Sequence, residues 1–212
     1  MGGAKVERRM TVEEFLEWHR EQELRYELID GVPVLRVKSP EQTDPRMMTG
    51  ASPRHALIAG NIDRALGNML EGGGCESYQS DAGVATAEDR TRYPDVVVDC
   101  SDDVPSGGLL PNPVAVLEIL SRSTHQFDLR TKLAEYRQVP SIQVIVFVAQ
   151  DYVEVEAHYR VEGDAWRTVR HLEIEEVLAL PTLAVEVPLA TIYRRVPLGP
   201  RPRPGPRAVL ED

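Results

Sequence analysis

Cysteine is scarce in this chain. Its two cysteines, Cys75 and Cys100, form no C-x-x-C pair and lie far from any metal-finger spacing. They are expected to be buried or incidental thiols in a reducing compartment. Long apolar runs are also missing. No stretch of 18 apolar residues occurs, which excludes an ordinary membrane-spanning helix. The first ten residues, MGGAKVERRM, are charged and lack the apolar centre of a secretory signal, so a cytoplasmic protein is expected. Positive charge is in deficit: 24 Lys and Arg against 34 Asp and Glu give a net charge of −10. This counts against broad, non-specific nucleic-acid binding, which needs clustered cations. It leaves room for a local cationic groove, or for a divalent ion bound in a carboxylate-lined cleft.

With 212 residues, 42% of them hydrophobic, the chain suits one α/β domain that can bury its own core. Three parts are expected: an extension over 1–10, a domain over 11–193 and a flexible tail over 194–212. The tail holds five arginines against two acids and includes Arg-Pro-Arg-Pro-Gly-Pro-Arg, which cannot pack a core. Such a tail either stays solvated or touches a phosphate backbone.

Within the domain, Thr11 to Arg25 reads as a helix opened by a T-x-x-E capping box, Thr11 with Glu14. Arg25 to Val37 reads as a hairpin turning at Asp30-Gly31. Lys38 to Ser52 is rich in Pro, Ser, Thr and charge and reads as a loop. Pro53 then opens a helix whose apolar residues run from Ile58 to Leu70 at helical spacing, stopped by Gly72-Gly73-Gly74. Tyr93 to Cys100, Pro113 to Leu120 and Ile142 to Ala149 are apolar runs of the kind that lie at the centre of a sheet covered on both faces. Thr124 to Gln138 suits a helix between the last two, and Val153 to Tyr159 with Trp166 to Leu172 suits a hairpin.

Two acids stand out against this pattern. Glu118 interrupts the most hydrophobic stretch of the chain, where an ionised carboxylate is costly unless it meets a cation or strong donors. Asp95 follows Tyr93-Pro94 and opens Val96-Val97-Val98. At the edges of neighbouring strands, about 4.8 Å apart, two such carboxylates can hold one hard cation. Magnesium suits the pair, because it binds through one or two carboxylates plus waters and a substrate phosphate. Such an ion can activate water, neutralise charge on phosphorus and stabilise the leaving oxygen of a phosphodiester. Lys132, in Asp128-Leu129-Arg130-Thr131-Lys132-Leu133 on the helix after Glu118, is the candidate cation for the transition state.

These segments, in this order, resemble the Uma2 family of restriction-endonuclease-like proteins, a bacterial branch of the PD-(D/E)XK nuclease superfamily. The resemblance spans about residues 11 to 193. It rests on Tyr26-Glu27-Leu28-Ile29-Asp30-Gly31, on His55 at the start of a helix, on Pro94-Asp95-Val96-Val97-Val98, and on Val116-Leu117-Glu118-Ile119-Leu120-Ser121. Ser123-Thr124, Asp128, Lys132-Leu133-Ala134-Glu135-Tyr136 and Leu180-Pro181 complete it. The resemblance implies an α/β (α+β) restriction-endonuclease-like fold, a mixed twisted sheet flanked by helices. It implies a Mg²⁺-dependent centre, with Mn²⁺ as an alternative, acting on nucleic acid, DNA above all, in a chain that could work as a homodimer. Asp95, Glu118 and the backbone carbonyl of Ile119 would be the metal ligands, Lys132 the catalytic cation and Glu27 an additional acid. His55 would bind phosphate, hold a loop or cap its helix.

The chain also departs from the pattern. The superfamily's lysine two residues after the glutamate is Leu120 here, which is why Lys132 is assigned. Gln138 stands where a glycine usually precedes Val139-Pro140, and the strand after it lacks the common Tyr-Trp. A nuclease-fold module that binds without cutting, or a structural partner acting through its basic tail, are the alternatives to an enzyme.

Overall fold

Pro113–Leu120, the most apolar run of the sequence, becomes the central strand of the fold. In the computed structural model, which describes residues 9–36, 52–102, 108–120, 126–162 and 165–202 (main chain only at 126–128), a six-stranded sheet forms the middle layer. In chain order its strands are β3 (Glu76–Gln79), β6 (Val96–Asp99), β7 (Pro113–Leu120), β8 (Val144–Ala149), β9 (Val155–Arg160) and β10 (Trp166–His171). They lie side by side as β10-β9-β8-β7-β6-β3. Within this sheet only β7 and β8 pair in parallel, and the helix α3 (Gln126–Gln138) connects them. A parallel pair needs such a crossover, whereas the flanking antiparallel pairs do not.

The side chains of the central strands divide by the period of two. Val96, Val98, Ala115, Leu117, Ile119, Val144, Val146 and Val148 pack with Ile58, Ile62 and Leu66 of α2 (Pro53–Leu70). Val97, Val116, Ile145 and Phe147 pack with Tyr136 of α3, with Leu129 and Leu133 against them. Glu118, two residues from Val116 along β7, therefore belongs to the α3 side. A small antiparallel hairpin, β11 (Val177–Leu180) with β12 (Val185–Pro188), and the short α4 (Leu189–Ile192) complete the α2-side core.

The N-terminal segments form a separate rim. α1 (Val12–His19) has both hydrogen bonds of the expected capping box. It ends before Arg25 because the chain tightens: Glu21 N–H donates to Trp18 O, Gln22 N–H to His19 O, and Tyr26 N–H to the His19 ring. β1 (Tyr26–Ile29) and β2 (Val32–Leu35) pair around Asp30-Gly31, whose φ values of 50° and 75° suit the tight hairpin turn. A Cβ on Gly31 would stand 2.7 Å from the Arg9 Cβ, so glycine is needed there for space as well as for φ. β4 (Val84–Ala87) and β5 (Arg90–Arg92) make a further two-stranded ribbon.

Cys75 and Cys100 are not the thiols expected from the sequence; they form a disulfide. β3 and β6 pair antiparallel with Glu76 opposite Asp99, so the next pair outward is Cys75 with Cys100. Their sequence separation of 25 gives no hint of this register. No helix among the described residues is long and apolar enough to cross a membrane. The loop expected over Lys38 to Ser52, its last residue excepted, and the tail beyond Pro202 lie outside the described residues.

Candidate active site

The β6–β7 ladder begins at Val96 opposite Leu117. Just beyond it the chain uses a side chain in place of the missing strand partner. Asp95 Oδ2 accepts the backbone N–H of Ile119 at 2.8 Å. Asp95 is thereby fixed beside the residue that follows Glu118. Both acids are almost wholly covered, with 7% and 6% of their surface exposed. A buried carboxylate keeps its charge only when charge and hydrogen bonds compensate.

Glu118 receives that compensation from one face of α3. Lys132 Nζ lies 3.1 Å from both Oε1 and Oε2, and the Tyr136 hydroxyl donates to Oε1 at 2.7 Å. Lys132 and Tyr136 are four residues apart, so a helix places them one above the other. Burial pushes the Glu118 carboxyl above the usual carboxylate range. Lys132 and the Tyr136 hydrogen bond oppose the shift, and the charge of Asp95 adds to it. Tyr136 is fully buried, and burial beside Glu118 pushes its own pKa well up, which keeps the phenol a proton donor.

His55 reaches the site from the other layer. It is the third residue of α2, and its N–H is capped by Ser52 Oγ at 3.2 Å. Its Nε2 stands 3.0 Å from Asp95 Oδ2. Four side chains thus meet from three layers: Asp95 and Glu118 from the sheet, Lys132 from α3 and His55 from the first turn of α2.

Glu27 lies one step away. Its Oε2 accepts from Arg92 at 2.9 Å, and Arg36 is 3.9 Å from its other oxygen. Arg92 makes a two-point fork with Glu135, Nε to Oε2 at 2.6 Å and Nη2 to Oε1 at 2.9 Å. Burial works against the charge of Arg92, but Glu135 and Glu27 more than offset it and hold its pKa above the ordinary value. Glu27 is therefore a member of this ion-pair cage. Among the described residues, no three His, Cys, Asp or Glu side chains converge as a metal-binding group. Asp95 and Glu118 are the two acids of the site described above that could share an ion. Two mutually repelling carboxylates, hard oxygen donors and nearly dry, fit a magnesium-like ion, which needs few protein ligands. Ile119 contributes its N–H to Asp95, and its carbonyl remains a proposed ligand.

Arg92, Glu135 and Tyr136 belong to the site without having been expected there from the sequence. Tyr136 carries a signal: it falls on the Lys132 face of a helix next to a buried strand glutamate. Arg92 carries none, because its partners are 43 and 65 residues away along the chain.

Sheet order, the single parallel pair within that sheet and the acid pair at the β6–β7 junction define a restriction-endonuclease-like α/β protein. A family model described as "Putative restriction endonuclease" matches residues 12–191, and the chain belongs to that family, Uma2. It is 26% identical over 188 residues to the uncharacterized protein slr1290 of Synechocystis sp., covering 88% of this chain and 92% of that one. A second Synechocystis protein, uncharacterized protein sll1609, is 31% identical over 121 residues, 55% of this chain and 68% of that one. The fold is similar to the crystal structure of a protein from Anabaena variabilis, described as a putative nuclease belonging to DUF820. The TM-score is 0.62 at 16% identity, covering 87% of this chain and 97% of that one.

Proposed function

We propose that this protein is a Mg²⁺-dependent endonuclease that hydrolyses phosphodiester bonds in DNA. The observation that carries the reading is the placing of Asp95 against the Glu118–Ile119 segment, with Lys132 on both oxygens of Glu118. Family membership and the likeness to the Anabaena nuclease-like protein support the same chemistry.

Asp95 and Glu118, with the Ile119 carbonyl, would hold the ion. When bound, a divalent ion supplies positive charge for the scissile phosphate and a more acidic water. The residues of the chain do the rest. Asp95 is held in place by the Ile119 N–H and His55. Glu118 is held by Tyr136 and Lys132. Lys132 brings a mobile cation to the place where charge develops on phosphorus, and its three donors can orient a water. His55, at the start of α2, offers a second donor to a phosphate oxygen. Two copies would serve two strands, so a homodimer is part of the proposal.

A nuclease-fold module that binds without cutting is favoured by two observations, the net charge of −10 and Leu120 at the superfamily's usual lysine position. Cleavage of plasmid and single-stranded DNA in Mg²⁺, Mn²⁺ or EDTA, run beside Asp95→Ala, separates the readings. Metal-dependent cutting that the substitution abolishes is the expected result. Metal binding without cutting would point to a different phosphodiester substrate or a missing partner, and neither cutting nor metal binding would favour the non-cutting module.

A further inference from the structure

We propose that Tyr136 is a positioning residue for Glu118: its hydroxyl occupies Oε1 and so leaves Oε2 as the oxygen that faces a divalent cation. The inference rests on the metal-dependent reading above and adds to it an assignment for each carboxylate oxygen.

Among the described residues, Oε1 accepts from both the Tyr136 hydroxyl and Lys132, whereas Oε2 accepts from Lys132 alone. A lysine at 3.1 Å from both oxygens does not choose between them. The tyrosine does, at 2.7 Å from one. Its ring is locked in the core with Val97, Val116, Ile145 and Phe147, so the hydroxyl is a fixed donor. Phenylalanine would fill the same space. A buried hydroxyl must find a partner, and the one this hydroxyl finds is the buried carboxylate of Glu118. Tyr193 provides the contrast: it is also buried, but its hydroxyl meets only the backbone of Glu154, donating to O at 2.9 Å and accepting from N–H at 3.2 Å. Both tyrosines are structural in that sense; only one of them touches the site.

Ligand-orienting partners of this kind change metal affinity by roughly 10–100-fold. Mn²⁺ affinity, measured by the loss of free-ion electron paramagnetic resonance signal, is compared for the full chain, Tyr136→Phe and Tyr193→Phe. Tyr136→Phe is expected to weaken Mn²⁺ binding at least about tenfold and to lower kcat on DNA with KM unchanged; Tyr193→Phe leaves affinity as it was. Should Tyr136→Phe fail to fold, 3-fluorotyrosine placed at 136 keeps the ring and the hydroxyl, and its ¹⁹F resonance is expected to shift on Mg²⁺ addition. Equal Mn²⁺ affinity for Tyr136→Phe and the unaltered chain, or a ¹⁹F resonance blind to Mg²⁺, would overturn the assignment while leaving the metal site standing. An unaltered chain that binds no Mn²⁺ overturns the metal reading and the assignment with it.

Discussion

Arg92 and Glu135 meet in a buried, two-point fork that ties the approach to Asp95 to the helix bearing Lys132 and Tyr136. Arg92 is three residues before Asp95, and Glu135 is three residues after Lys132. The pair fixes the distance between the two halves of the site, and Glu27 closes the cage from β1. Removing one partner of such a pair strands a charge out of water. Arg92→Ala is therefore expected to cost about 3–5 kcal/mol of stability, read by urea unfolding. Arg92→Lys keeps the charge but loses the fork, and it should be destabilised by less while still losing activity. Full activity in Arg92→Lys would show that the fork is only a fastening of the fold.

Lys132 has a separate role from the cage. Replacing it with alanine removes the cation from both oxygens of Glu118 without opening the core, because Lys132 is partly exposed. The expected cost is about 2–4 kcal/mol of activation barrier, the range for a single electrostatic contributor, together with a lower thermal midpoint, because buried Glu118 loses its counter-charge. Ordinary turnover by Lys132→Ala would sink its assignment and return attention to Leu120, where the superfamily's lysine is absent.

The sheet is legible in the sequence because its central strands are buried on both faces. Pro113–Leu120 has the same limits as an apolar run and as a strand, and the α3 crossover follows from a helical pattern between two such runs. The acid pair is legible for the same reason: Glu118 is conspicuous only against seven apolar neighbours in its strand. What cannot be read depends on contacts far apart in the chain. The Cys75–Cys100 pairing needs the β3–β6 register, and the capture of Glu27 by Arg92 needs the rim packed against α3. β11 and β12 are four residues each and carry too little period to be distinguished from loop.

The elevated pKa of Glu118 makes a prediction about pH. Its carboxyl is raised in the folded chain by burial first. Between the ordinary carboxylate value and that raised value, the folded state binds more protons than the unfolded one. Stability without metal must then fall as pH rises through this window. Glu118→Gln removes the titration, so its stability should depend less on pH there. Cleavage should run the opposite way, rising with pH as Glu118 loses its proton. Urea midpoints for both proteins across mildly acidic to neutral pH, in EDTA, provide the check; parallel curves would contradict the direction given for Glu118.

The disulfide bears on stability and leaves the chemistry alone. Cys75 and Cys100 close the outer end of the β3–β6 pair, whereas Asp95 sits at the opposite end of β6. Across a separation of 25 residues, the chain-entropy model gives a bond of this kind about 3 kcal/mol. At roughly 2–4 °C per kcal/mol for a chain of this size, reduction should lower Tm by about 10 °C. Near the break, Asp99 still holds the N–H groups of Ser101 and Asn112, and Cys100 N–H still bonds Asn112 O, so the base of the loop stays closed. β3 is the edge strand, and at its far end Gln79 pairs with Val96 and Ser80 N–H donates to Asp95 O. Fraying that starts at the disulfide end should therefore leave Asp95 in place as long as these contacts hold. The double substitution Cys75→Ser, Cys100→Ser is thus expected to match the reduced protein in Tm and the oxidised protein in cleavage rate at low temperature. A Tm unchanged by reductant would show that the two sulfurs are not bonded in solution, and a cleavage rate that falls with reduction would place the site's geometry under the control of the sheet edge.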